Sequence, residues 1–308
     1  MENKTVKLHT EDFRKKFSAV HKTGFFLIGT LFILASGCVK DDLYNTPHPD
    51  KGVVVITTDW TEALSESNLP ETYFLRMDGG EAKEVKGTTV CYPDLLMPGT
   101  HTLSAYNEAE KITIDGTTAT VKLRADGTLE PLSGYLFSAL KELDVIQDDT
   151  LRTTLPMERR ICPITLKLSL EGENTNKIAS INATLGGIAG SVDLLTGIIG
   201  TENLTVTLDV KQAEAKARAY TEGALEMSCR VVGINPQERQ LLTITVTMAD
   251  GYVQTITSDL SEYLKELNAD MKPIELDGKV EVPQDGHFNG TIKDWEIGNN
   301  GGEDVEIH

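Results

Sequence analysis

The residues best able to do chemistry are few. Ser138-Ala139-Leu140-Lys141 has the spacing of an SxxK pair, in which a lysine amine activates a serine hydroxyl for acyl transfer. The companion SDN and KTG motifs of that chemistry do not occur in the chain, so the pair reads as a chance match. The glycine-rich run from Leu185 to Ser191 lacks the Lys-Ser/Thr that a phosphate loop needs. It reads as a tight loop where small residues let backbones approach. Of the histidines, His48, His101, His287 and His308 follow residue 37. None stands at metal-ligand spacing from another, and neither HExxH nor CxxC occurs. His101 and His287 read as ordinary surface or strand residues. No catalytic residue, metal site or cofactor is assigned, and the expectation is a protein that is not an enzyme. Cys91, Cys162 and Cys229 cannot all pair with one another, and buried reduced thiols in strands are favoured over one disulfide.

Cys38 carries the strongest local signal. A basic stretch with Arg14, Lys15, Lys16 and Lys22 precedes an apolar run from Gly24 to Ser36, and Gly37 and Cys38 follow. That run is shorter than the roughly 20 residues a spanning helix requires, and the layout is that of a secretory signal. Ala35-Ser36-Gly37-Cys38 resembles a lipobox, with Ala35 where a leucine is usual and Leu34 one place earlier. Residues 1–37 are therefore expected to be a lipoprotein signal peptide, and Cys38 the acylated (palmitate-bearing) N-terminus of the mature chain. Lys40, Asp41 and Asp42 resemble the short acidic tag that directs lipoproteins of Bacteroidetes-type bacteria to the outer face of the outer membrane. Residues 38–51, with Pro47 and Pro49, read as an extended tether. Asp149-Thr150-Leu151 fits the O-glycosylation pattern of the same bacteria, with Thr150 as acceptor, and equally reads as a loop.

The elements that position these residues are mostly strands. Residues 53–58 (VVVITT), 102–106, 112–114, 120–123, 164–170, 204–208, 242–248 and 252–257 show apolar runs or period-two alternation. Pro98-Gly99 and Asp115-Gly116 read as turns, and Asp250-Gly251 as a hairpin. Residues 260–267 predict a helix capped by Asp259, with Glu262 in a capping box and Leu260, Tyr263, Leu264 and Leu267 on one face. Residues 132–140 predict a second, short helix. Many strands and few helices predict an all-β fold of sandwiches. An acidic loop at 147–149 suggests a boundary, giving an N-terminal sandwich over 52–157, a C-terminal sandwich over 158–298 and a flexible tail over 299–308.

Charge narrows the partners. Lys and Arg number 29 against 47 Asp and Glu, a net charge of −18. The signal segment holds more bases than acids, so the mature part is more acidic still. Such a field repels phosphate backbones, and no nucleic-acid partner is expected.

Several segments together resemble the fimbrial anchor (minor fimbrillin) lipoprotein family of Bacteroidales. They are GCVKDDLY at the lipid site, VVVITTDW ending at Trp60, residues 95–123, residues 155–197, LLTITVTMADG, and the terminal IKDWEIG. The resemblance implies two tandem transthyretin-like β-sandwiches with one or two short helices. It implies no enzyme, and a subunit that fixes a fimbrium to the outer membrane, with fimbrillin subunits as partners. Stalk subunits of that group are joined by strand exchange after a protease removes their first strand behind an arginine. Here no arginine lies between Cys38 and Leu75, the first being Arg76. The strand at 53–58 is therefore expected to stay with its lipid. A strand edge near the C-terminus, at residues 288–295, is the expected contact with the next subunit, and Trp295 is expected in the core. A surface glycan- or protein-binding lipoprotein on the same fold is the alternative, and it predicts an exposed aromatic platform.

Overall fold

Alternating sequence becomes strand wherever every second side chain can be buried. The computed structural model describes residues 50–63, 69–171, 178–212, 224–281 and 292–298. β1 (Val53–Asp59) turns Val54 and Ile56 fully inward. It is followed by β2 (Thr72–Met77), β3 (Lys83–Lys86), β4 (Thr89–Cys91) and β5 (Gly99–Tyr106). The hairpin of β6 (Ile112–Asp115) and β7 (Thr118–Val121) comes next, then β8 (Phe137–Val145), β9 (Thr150–Pro156) and the short β10 (Glu158–Arg159). β1 lies centrally in a three-stranded sheet, antiparallel to β4 and parallel to β9. A five-stranded sheet of order β10-β8-β5-β2-β3 faces it. Val54, Ile56, Tyr73, Leu75, Leu103, Phe137, Leu143 and Leu155 fill the layer between them.

The rest of the chain repeats this plan. β11 (Cys162–Glu171), β12 (Ile178–Ile188), β13 (Ser191–Asp193), β14 (Leu204–Thr207) and β15 (Asp209–Gln212) precede β16 (Ala224–Val231), β17 (Leu241–Met248) and β18 (Val253–Asp259). Two single helical turns, α1 (Ser261–Leu264) and α2 (Leu267–Asp270), lead into β19 (Ile274–Glu281) and β20 (Ile292–Ile297). β11 is central in its sheet, antiparallel to β16 and parallel to β19. The facing sheet has the order β14-β12-β17-β18, matching β3-β2-β5-β8 strand for strand. The fold is thus all-β, as expected, with two pairs of facing sheets.

The two cores do not divide the chain at one point. Ile112, Ala119, Val121, Leu129 and Leu136 belong to the second core, because the β6–β7 hairpin pairs with β13. The described residues from 50 onward accordingly form one compact unit.

Four local readings change. Residues 132–140 form no helix. Leu136 is buried and β8 begins at Phe137, because eight residues of β8 pair with β5 and Phe137, Ala139, Leu143 and Val145 alternate inward. The expected helix at 260–267 is two separate turns with a left-handed stop at Met271. Its Leu260, Leu264 and Leu267 are buried as foreseen, while Tyr263 remains 38% exposed. So short a segment gains little from helix propagation, and burial of three leucines sets its course instead. Asp259 is not its cap: Leu260 holds that position without a side-chain bond, and the Asp259 carboxylate instead accepts from the amide and hydroxyl of Ser261 at 3.0 and 2.6 Å, in the turn that leads into the helix. Gly99, expected in a turn, already pairs with Val145 as the first residue of β5. The glycine-rich run is the bulged end of β12, not a free loop, and Gly187 has φ 71°. A Cβ at Gly187 would stand 2.5 Å from the Arg239 carbonyl oxygen, so close backbone approach is indeed what the glycine permits.

Candidate functional site

In a fold built from strands, the places able to act on another chain are edges and the strands that fill them. β1 is no edge. Its ladder runs from Val53↔Thr150 to Asp59↔Pro156 on one side and from Val55↔Cys91 to Thr57↔Thr89 on the other. Removing it would part β4 from β9 and open the core along Val54 and Ile56.

β9 is an outer strand of the first half, and its outward edge is blunted. Val53 N–H donates to Asp149 O and Met157 N–H to Asp59 O, so alternation aims the peptide groups of Thr150, Arg152 and Thr154 away from β1. The Asp149 carboxylate accepts the Thr150 N–H at 2.7 Å, Lys141 Nζ donates to Thr154 O at 2.7 Å, and Pro156 has no N–H. Capped polar groups, a lysine and a proline are ways an edge is kept from pairing with other chains. At the corresponding place in the second half, β20 covers β19. β20 is itself outermost among the described residues, and Ile297 there is 81% exposed. Trp295 is buried and donates Nε1–H to Ser258 Oγ at 3.0 Å, which confirms it as a core residue.

The residues singled out for chemistry are scattered. Cys38, Lys40, Asp41, Asp42, His48, His287 and His308 lie outside the described residues. Thr150 is exposed at the first position of β9. Ser138 and Lys141 sit on one strand three residues apart, so they face opposite sides. Ser138 is fully buried and accepts from Arg160 Nε at 2.7 Å, while Lys141 is engaged on β9. A serine–lysine dyad is therefore not assembled. Cys91, Cys162 and Cys229 are all free thiols, the first exposed and the other two buried. Burial pushes both buried thiols up to about 12, far from the thiolate a nucleophile needs.

His101 holds more than an ordinary strand position. Its Nδ1 lies 2.6 Å from Asp78 Oδ2 and its Nε2 2.7 Å from Met97 O. The Asp78 carboxylate first, and the Met97 carbonyl second, raise the imidazole above the usual histidine range, and the same pairing lowers Asp78. Asp78 also accepts the Thr102 N–H at 2.8 Å from a left-handed backbone, φ 52°. The clamp ties the β2–β3 turn to the start of β5. Sequence reading missed it because the two residues are distant in the chain.

Among the described residues, five aromatic side chains pack on one another, while Tyr252 and Tyr263 are exposed. Trp60 meets Tyr73 and Phe137 edge-on at 5.8 and 5.4 Å, and Phe74 stacks on Tyr106 at 5.4 Å. Tyr106 in turn packs against the second core.

A family model, fimbrillin-A associated anchor proteins Mfa1 and Mfa2, matches residues 71–301. The chain belongs to this family. Membership makes it a fimbrium-associated protein of the cell surface. Among curated proteins none matches. Solved structures share the fold at low identity. A candidate adhesin from Bacteroides ovatus is 15% identical with a TM-score of 0.54, covering 84% of this chain and 97% of the other. A candidate polysaccharide-binding protein from Bacteroides thetaiotaomicron is 9% identical with a TM-score of 0.53, covering 77% and 94%. Another candidate adhesin from Bacteroides ovatus is 10% identical with a TM-score of 0.54, covering 81% and 93%.

Proposed function

We propose that this family member is an outer-membrane lipoprotein, acylated at Cys38 and directed to the surface by Lys40, Asp41 and Asp42. It anchors or terminates a fimbrium by strand pairing with fimbrillin subunits, acting as a structural protein and not as an enzyme. One observation carries this reading: β1 is the central strand of its sheet, and no arginine stands between Cys38 and the end of that strand. A subunit that keeps this strand has no vacant groove at this end, which suits the end of a polymer better than its repeat. The test is the mature N-terminus of protein isolated from outer membranes. Mass spectrometry should find an acylated Cys38 peptide continuous with β1; an N-terminus beyond Thr58 would overturn the reading.

The subunit-facing edge is β20. Pairing there is strand addition, in which backbone hydrogen bonds supply affinity. Lys293→Pro should detach fimbriae while the far-ultraviolet dichroism stays unchanged, whereas deleting residues 299–308 tests the tail alone. Attachment that survives both changes would exclude this edge. Thr150, exposed beside Asp149, remains the proposed glycan acceptor, and intact mass of the exported protein against Thr150→Ala decides it.

A further inference from the structure

The end of the first half where β1 begins carries three exposed apolar side chains. Ile146 is 64% exposed, Met97 57% and Leu95 47%. They belong to two loops that close around the incoming chain. Gly52 and Leu96 exchange backbone hydrogen bonds at 2.8 and 3.0 Å, and Asp148 N–H donates to Lys51 O on the other side. A Cβ at Gly52 would stand 2.5 Å from Ile146 O, so the chain enters through a slot that only glycine fits. The three exposed side chains thus rim the point from which residues 50 and 51 lead back toward Cys38.

We infer that this rim rests on the bilayer that holds the lipid anchor. The inference rests on acylation of Cys38, proposed above. The eleven residues from Val39 to Pro49 span at most about 40 Å when fully extended. A tether of that length confines this end of the molecule to the membrane's neighbourhood, where a high effective concentration lets even a weak contact be occupied. Leucine, isoleucine and methionine are side chains that gain from entering the boundary between headgroups and acyl chains. Asp50, Asp94, Asp148 and Asp149 lie at the same end with Lys51 and Lys83, and Lys83 pairs with Asp94. This excess of carboxylates keeps the contact shallow and favours a zwitterionic over an anionic surface. The bilayer would then hold the first half upright and turn the second half, with β20, away from the cell.

The full lipidated chain, reconstituted into phosphatidylcholine vesicles containing brominated acyl chains, tests this. Ile146→Trp and Met97→Trp are the reporters, with Ile198→Trp, exposed on the second half, as reference. After subtraction of the parent's signal, the first two should lose emission to bromine and the third should not. Adding phosphatidylglycerol should weaken the loss. Equal behaviour of all three in chains that float with the vesicles overturns the inference and leaves the anchor intact. A spectral shift of the Ile146→Trp reporter that depends on protein concentration and not on bromine would assign the rim to a second copy instead, and also overturn it. Chains that do not float at all would remove the anchor reading and this inference together.

Discussion

The two halves share a strand plan and differ in what was added to it. In both, the first strand lies between an antiparallel neighbour and a parallel one, β4 and β9 in the first half, β16 and β19 in the second. In both, the facing sheet runs β3-β2-β5-β8 or its counterpart β14-β12-β17-β18. The connection between the third and fourth strands of that sheet is where they part. The second half passes from β17 to β18 through a tight hairpin at Asp250-Gly251, with Gly251 at φ 86°. The first half sends residues 107–136 out between β5 and β8, and that excursion docks on the other half's core. The outer edge differs too: β9 is blunted by Asp149, Lys141 and Pro156, while β19 is covered by β20. The strand plan thus occurs twice within one unit, joined by the 107–136 excursion, and the equivalent edges are treated differently.

The comparison breaks most readily at the two central strands. Ile56→Ala in β1 and Leu166→Ala in β11 each empty a fully buried site and should cost about 2–5 kcal/mol. Because residues 107–136 tie the halves, both variants should move one shared urea transition; two separate transitions would restore independent domains over 52–157 and 158–298. Arg230→Ala attacks the tie itself. It removes a hydrogen bond to Ser133 O at 3.0 Å and a guanidinium 4.3 Å over Tyr135, for about 1.5–3 kcal/mol. If the tie is what joins the halves, the transition should broaden or split in this variant. Gly187→Ala tests the bulge that β12 has and β2 lacks; strain at positive φ and the nearby Arg239 carbonyl should cost about 1 kcal/mol or more. The smallest effect is expected at His101. Its raised pKa means that the clamp's stabilisation is full below the free histidine value, about 6.5, and is lost as pH rises through the folded value. The lowered Asp78 acts oppositely, its contribution present above the free aspartate value and lost as pH falls through the folded one. The melting temperature of His101→Ala should therefore lie further below the parent at pH 5.5 than at pH 8.5, and a gap independent of pH would disprove the clamp.

Much of the fold was legible because a strand buried on one face must alternate, and that pattern is local. β1, β5, β6, β11, β17 and β18 stand where alternation placed them, and Asp250-Gly251 turns because glycine accepts the required φ. The three leucines at 260, 264 and 267 were also readable as one buried face, although the helix they implied is broken. The site was less legible. Nothing near Lys141 in the chain says that its amine closes the edge of β9, and nothing near His101 points to Asp78. The SxxK spacing, already read as a chance match, lies on a strand, where residues three apart diverge.

Composition, periodicity and turn residues determined by themselves that this chain would be an all-β, strongly acidic protein, because each rests on neighbours within a few residues. Which strand pairs with which, that residues 107–136 leave the first core for the second, and which edge is covered and which is blunted were decided only in three dimensions. Backbone hydrogen bonds in a sheet are indifferent to sequence separation. The choice among possible partners falls to whichever arrangement buries the most apolar surface at once.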